Sequence, residues 1–329
     1  MRPAHGVITM PSLLPWRTLA ALAALAASML FAAFAVWPPA NPDSAPHVPL
    51  PIEPQPGSDI AYLRPKALPQ DRFLAQFPEI VHNDTAFLLG QENPRFSMGL
   101  VQWRRMSAGG WLTTARQPGL GAYTIRLSPQ ADGIEMDWRV QNLSKQEWTY
   151  VAATPHIAFT DAPDFRDPAQ QRTFLRMDGA WVPIDRTDRS DGRTVTQWYI
   201  VRGHRASRMM GSRPHPNNAW GLSQSHPDDG LVAVVSHDRA WIVGEAFADT
   251  QYICLNAPVC VHPAGFFGNL APGQARRLRG KIYFLHGSLA DLLAHFHRDF
   301  PAQAAANFNE RGGRNRIRRV RHGPTGGGR

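Results

Sequence analysis

Eight residues constrain the fold of this chain more than any others: Ile134-Glu-Met136-Asp-Trp138-Arg-Val140-Gln141 is apolar at every even position and polar at every odd one. A period of two sends successive side chains to opposite faces, so the run predicts a strand with one face in a core and one in water. Asp132-Gly133 just before it is hairpin chemistry. Further strand-like runs are Gly121–Ser128, Trp148–Phe159, Thr196–Arg202, Leu231–Ser236, Ala240–Phe247 and Arg276–His286, with Ser236-His-Asp-Arg239 as another hairpin turn. Strands this closely spaced, with turns and no helices between them, predict an all-β antiparallel sandwich rather than a parallel α/β fold.

Two segments have helical spacing. In Asp71–Ile80 the apolar residues Phe73, Leu74 and Phe77 predict a short helix. In Ser288–Phe300 the stripe Leu289, Leu292, Leu293, Phe296, Phe300 follows an N-cap pair, Ser288 and Asp291, and Pro301 marks the stop. This second helix is expected to pack across the sandwich.

The N-terminus sets the expected compartment. Arg2 and Arg17 precede an uncharged run, Thr18–Trp37, of 20 residues; at 1.5 Å per residue it spans roughly 30 Å, the thickness of a hydrocarbon core. Positive charge before the run places the N-terminus in the cytoplasm and the remainder outside. The reading is an inner-membrane anchor with a periplasmic domain. The alternative is a cleaved signal peptide and a secreted chain, since Ala33-Phe34-Ala35 is a small-x-small site. The resulting organisation is 1–37 anchor or signal, 38–56 proline-rich spacer, 57–309 sandwich domain and 310–329 a disordered Arg/Gly tail.

The net charge of +9 is concentrated in that tail, where seven arginines face one acid, a balance of +6. Such a tail can contact anionic lipid or polymer by charge alone. It has no aromatic residue for base stacking, so no sequence-specific nucleic-acid binding is expected.

Cys254 and Cys260 are the only cysteines. In an exported protein two cysteines this close predict a disulfide. The competing metal reading, Cys254, Cys260 and His262, lacks a fourth ligand nearby, and no metal or other cofactor is expected. The chain has no G-x-S-x-G, H-E-x-x-H, P-loop or dinucleotide fingerprint, which argues against the common serine and zinc hydrolases.

The richest stretch for chemistry is Val140–Pro168. Within it, Thr154-x-His156-x-x-Phe159, together with the preceding Val140-x-Asn142, resembles a segment of galactose mutarotases and related aldose epimerases. The resemblance implies a β-supersandwich and a sugar-facing His156. Those enzymes open a sugar ring by acid–base catalysis, which needs a histidine and a carboxylate. Their glutamate comes late in the chain, whereas after Glu245 this sequence has only Glu310. A wider span, about 121–300, resembles a family of secreted bacterial proteins frequent in planctomycetes. It does so through Asp132-Gly133, Val140-x-Asn142, Asp161-Ala-Pro-x-Phe165, Cys260-Val-His262 and Leu278–Leu285. That family has no assigned activity and implies a mutarotase-like sandwich as well.

Further candidates come from the residues themselves. Glu245 lies in an apolar strand, and burial there would raise its pKa and make it a catalytic candidate beside His156. Asp161, Asp164 and Asp167 read as turn caps ahead of calcium ligands. The Gly203–Gly230 loop supplies His215, Asn217 and Trp220, a mixture suited to the apolar face and hydroxyls of a sugar. The expectation is a carbohydrate site combining His156, Asp161, Asp164 and that loop, with at most residual mutarotase-like activity. The alternative is a non-catalytic envelope module that docks another protein.

Overall fold

A computed structural model describes residues 50–107, 109–188, 196–212, 220–256 and 260–303. In chain order its strands are β1 (Ile52–Pro54), β2 (Ile60–Leu63), β3 (Phe73–His82), β4 (Phe87–Gly90), β5 (Gln102–Arg105) and β6 (Trp111–Gln117). They continue with β7 (Gly121–Gln130), β8 (Gly133–Asn142), β9 (Trp148–Ala158), β10 (Thr173–Met177), β11 (Ala180–Pro183) and β12 (Thr196–Ile200). The last are β13 (Trp220–Leu222), β14 (Val232–Val235), β15 (Trp241–Phe247), β16 (Thr250–Asn256), β17 (Cys260–Leu270) and β18 (Ala275–His286). The helices α1 (Arg208–Ser212) and α2 (Leu289–Asp299) accompany them among the described residues.

The strands form two sheets. Sheet A runs β1-β2-β3-β9-β17-β16-β12-β13, with β4 on β3, and sheet B runs β11-β10-β14-β15-β18-β8-β7-β6-β5. All pairings are antiparallel except β12 with β13. The shared core takes Phe73, Val81, Val151, Ile157, Tyr199 and Ile253 from sheet A, and Tyr123, Ile125, Trp138, Val140 and Phe284 from sheet B. The alternation over 134–141 therefore reads true: Ile134, Met136, Trp138 and Val140 are fully buried. Gly133 is needed at its turn. Its φ is +141°, and a Cβ there would meet the Ile282 carbonyl oxygen at 1.9 Å.

The helix expected over Asp71–Ile80 is strand β3. Phe73, Ala75 and Phe77 alternate onto the core while Leu74 pairs with Tyr62 and Gln76 with His156. Phe73 and Phe77 fit both a helical and a two-residue period, and Pro78 is compatible with only one. Residues 52–54, expected in the spacer, pair with β2, and Leu50 is buried against the core. The other helix forms as expected: the Ser288 hydroxyl accepts from the Asp291 amide, and the Asp291 carboxylate accepts from the Ser288 amide. Its Leu292, Phe296 and neighbouring Phe300 cover Ala233, Ile242 and Tyr283 on the outer face of sheet B. Gly244 lets it approach, since a Cβ there would stand 2.8 Å from Leu292.

The run Thr18–Trp37 and the tail 310–329 lie outside the described residues. Among the described residues no helix is long and apolar enough to cross a membrane.

Candidate functional site

On the outer face of sheet A, side chains that could do chemistry gather across three adjacent strands. Strand β9 turns Val151, Ala153 and Ile157 to the core, so Thr154 and His156 face outward. Strand β17 turns Val261 inward and so presents Cys260 and His262 on the same outer face. Strand β3 joins them through an irregularity: its register with β9 shifts between Gln76 and Ile80, and Glu79 lies within that shift. There the Glu79 carboxylate spans two imidazoles, with Oε1 3.4 Å from His156 Nδ1 and Oε2 3.4 Å from His262 Nε2. The two rings meet edge to face with centroids 4.6 Å apart.

Each ring is held from one side. His262 Nδ1 lies 3.1 Å from the Cys254 carbonyl oxygen, which can only accept, so that nitrogen carries a proton. His156 Nδ1 points to Glu79 in the same way. The Nε2 atoms of both rings are buried and make no hydrogen bond. One donor atom from each of His156, Cys260 and His262 lies within 4.8 Å of the other two.

The charges are strongly coupled. Burial would raise the Glu79 pKa, but the His262 charge and the His156 hydrogen bond outweigh it and hold the carboxyl below its usual range. Burial also works against ionisation of Cys260, yet the adjacent His262 and His156 rings bring its pKa down to about 6. Both imidazoles are pushed up despite burial, His262 by the Glu79 and Cys260 charges and His156 through its bonds to Cys260 and Glu79. Such a set can transfer protons, present a thiolate, or ligate a soft cation.

The expected disulfide is not formed: Cys254 and Cys260 are both free thiols. The cause is register. Cys254 pairs with His262 and Cys260 with Asn256, so the cysteines are diagonal neighbours on one face. Diagonal positions stand roughly 7–8 Å apart, beyond the usual span of a bridge. Cys254 instead approaches Asn256 Oδ1 at 3.8 Å, and burial raises its pKa.

Among the described residues, the other expected site residues do not join His156. Glu245 is on β15 between Val243 and Phe247, which line the shared core, so it faces the sandwich interior. It is fully buried, neither oxygen has a hydrogen-bond partner, and burial raises its pKa well above the ordinary value. Asp161 pairs with Arg72, and Asp164 accepts from Gln70 Nε2 at 2.6 Å. Asp167 caps the following turn through the amides of Gln171 and Arg172 and the Thr173 hydroxyl. His215 and Asn217 lie outside the described residues. Trp220 opens β13, the edge strand, which is four strand positions from β9, or roughly 19 Å at the spacing of paired strands. The Gly203–Gly230 loop does line a cleft of about 490 Å³ with Arg202, His204, Gln224 and His226. Its polar groups are already engaged: Arg202 with Asp178 at 2.7 Å and His204 with Asp249 at 2.9 Å.

Sequence reasoning missed Glu79, whose segment carried a helical spacing, and it did not connect His156 with the Cys260-Val-His262 triplet. The period-two alternation placing His156, Cys260 and His262 outward was available in the sequence; the strand adjacency was not.

No protein-family model matches the sequence, and no curated protein is similar to it. Among solved structures, a galactose mutarotase-like protein from Lactobacillus casei superposes with a TM-score of 0.40 at 12% identity, covering 71% of this chain and 99% of that one. A galactose mutarotase related enzyme from Lactobacillus acidophilus gives 0.38 at 10% identity, with 73% and 98% covered. A polysaccharide lyase gives 0.34 at 10% identity, with 74% of this chain and 33% of that chain.

Proposed function

We propose that this chain is an extracytoplasmic, carbohydrate-directed sandwich protein whose ligand meets the outer face of sheet A at the Glu79–His156 pair. The observation that carries the reading is the Glu79 carboxylate lying 3.4 Å from both His156 Nδ1 and His262 Nε2 at a partly accessible position. Opening an aldose ring needs a histidine to protonate the ring oxygen and a carboxylate to take the anomeric proton. His156 is the histidine singled out by the mutarotase-like segment, and Glu79 offers, early in the chain, the carboxylate that is missing late. Placement outside the cytoplasm rests on Thr18–Trp37 and the arginines before it, and the basic tail 310–329 would add a charge-driven contact to anionic lipid or polysaccharide. An envelope docking module would need an exposed apolar patch. Among the described residues the only large hydrophobic side chain classed as exposed is Leu222, at 37%, which favours the carbohydrate reading.

The test uses the purified full chain on a glycan array, and polarimetry of freshly dissolved aldose anomers. Binding is expected, and any acceleration of anomer exchange should fall about 100-fold or more in Glu79→Gln, the usual weight of a general acid–base group. No bound glycan and no acceleration would overturn the reading.

A further inference from the structure

The outer face of sheet A carries more ligating capacity than an acid–base pair requires. One carboxylate and one imidazole suffice for proton transfer, yet a second imidazole and a thiol close on the same point. We propose that His156, Cys260 and His262 bind a divalent transition-metal ion of the zinc type, with Glu79 as the carboxylate that orients the imidazoles.

Three observations support this. The first is geometry: one donor atom from each residue lies within 4.8 Å of the other two. Ligands of a tetrahedral zinc stand roughly 3.3–3.8 Å apart, given its bond lengths to nitrogen and sulfur. Closing the site thus takes side-chain rotations of about an ångström. The second is the state of the rings. His262 Nδ1 is fixed by the Cys254 carbonyl oxygen at 3.1 Å, and His156 Nδ1 faces Glu79 at 3.4 Å. Ligating histidines are held in this manner, one nitrogen on a carbonyl or carboxylate and the other toward the ion. The third is the pair of Nε2 atoms left over. Both are buried without a hydrogen bond, His262 Nε2 facing only the Glu79 carboxylate at 3.4 Å, and His262 as a whole is only 3% exposed. Buried polar atoms without hydrogen bonds are costly; coordination would satisfy His156 Nε2 and replace the long ion contact of His262 Nε2.

The donor set identifies the class of ion. A thiolate with two imidazoles suits zinc, cobalt or copper and disfavours magnesium or calcium. A nucleophilic cysteine is the chemical rival, but that role needs one imidazole and an approachable sulfur. Cys260 is 8% exposed and has two imidazoles whose donor atoms lie within 4.8 Å. Three protein ligands would leave a coordination position for water or a ligand oxygen. It would open where His156 and Glu79 keep 17% and 15% of their side chains accessible. The inference holds whether or not that ligand is a sugar.

Cobalt(II) is the direct probe. The full chain, reduced and stripped with a chelator, is titrated with cobalt and read by absorption. Saturation at one ion per chain is expected, with a thiolate-to-cobalt charge-transfer band and the intense visible bands of tetrahedral coordination; zinc should bleach both. Cys260→Ser should abolish the charge-transfer band and His262→Ala the tight binding, while Cys254→Ser keeps both. Glu79→Gln should weaken binding roughly 10- to 100-fold, the usual effect of an outer partner. Absence of the band in the unmodified chain overturns the proposal without reliance on any variant. So does a band that survives Cys260→Ser or disappears only with Cys254→Ser. Glycan binding by a chain that shows no cobalt band would sink the metal and leave the carbohydrate reading standing; a cobalt band without glycan binding would do the reverse.

Discussion

On the outer face of sheet B the charges close on one another beneath α2. Lys281 Nζ stands 2.7 Å from both Asp132 and Asp299, while His295 and Arg298 each reach Asp132 at 2.7 Å. Around them Leu292, Phe296 and Phe300 seal the apolar part of the face. On the outer face of sheet A, among the described residues, the helix is a single short turn, α1, whose Met209 packs with Trp198 and Tyr252. Beyond that cover, titratable groups gather with His156 Nε2 buried and without a hydrogen bond, and His262 Nε2 held only by a 3.4 Å ion contact. A network that completes itself stabilises its fold; one left open costs stability and is intelligible where something else completes it. The contrast separates the face that holds the domain together from the face proposed to meet a ligand.

The largest effect should come from the sealed face. Phe296 is fully buried, and Phe296→Ala should cost about 3–5 kcal/mol through lost burial and an unfilled cavity. Urea unfolding measures this, and the folded fraction should bind glycan or cobalt as before. A parallel loss of binding would break the division between the faces.

The ion network should give the next effect, and its sign with pH is fixed. Burial acts to raise the pKa values of Asp132 and Asp299, but their bonds to His295, Arg298 and Lys281 outweigh it and hold both below the ordinary range. Depressed carboxyls add stability that is complete above the unfolded value of about 3.9 and is lost as pH falls through the folded values. Unfolding free energy should therefore drop from about pH 5 downward. Lys281→Met should cost about 1.5–3 kcal/mol at neutral pH, the weight of a hydrogen bond to a charged group. The gap between the curves should narrow in acid; a constant gap would mean that the lysine acts by packing alone.

Legibility in the sequence followed the range of the interactions. The alternation over Ile134–Gln141 and the Ser288–Asp291 cap are local, and both appear as read. The acidic loop was also local, and Asp167 caps its turn. Glu79 was hidden because a register shift, set by the partner strand, decides where it points. The cysteines misled for a related reason. Six positions apart in sequence, they look adjacent, but the hairpin register leaves them diagonal, and His156, over a hundred residues away, reaches Cys260 instead. Glu245 was recognised as a perturbed carboxyl, but its face was not legible, because the pattern cannot say which side of a strand buried on both sides meets the second sheet.

The smallest effect on stability should come from the residue with the largest expected role in binding. His82 and His156 both face outward from sheet A. His82 is fully buried with both nitrogens engaged, Nδ1 at 2.9 Å from the Asn83 carbonyl oxygen and Nε2 at 2.9 Å from the Tyr252 hydroxyl, and burial drives its pKa down to about 4. It is built into the wall. His156 has a long hydrogen bond, 3.4 Å from Nδ1 to Glu79, beside its contacts with the Cys260 thiol and the His262 ring, and its Nε2 makes no geometric hydrogen bond. Replacing it removes an incomplete arrangement, so His156→Gln should change the unfolding free energy by less than about 1 kcal/mol. The thermal midpoint should hardly move, while glycan and cobalt binding fall sharply. If His156→Gln instead destabilised the chain as much as Lys281→Met does, the cluster would be a second structural network, and the two faces would differ only in which groups complete them.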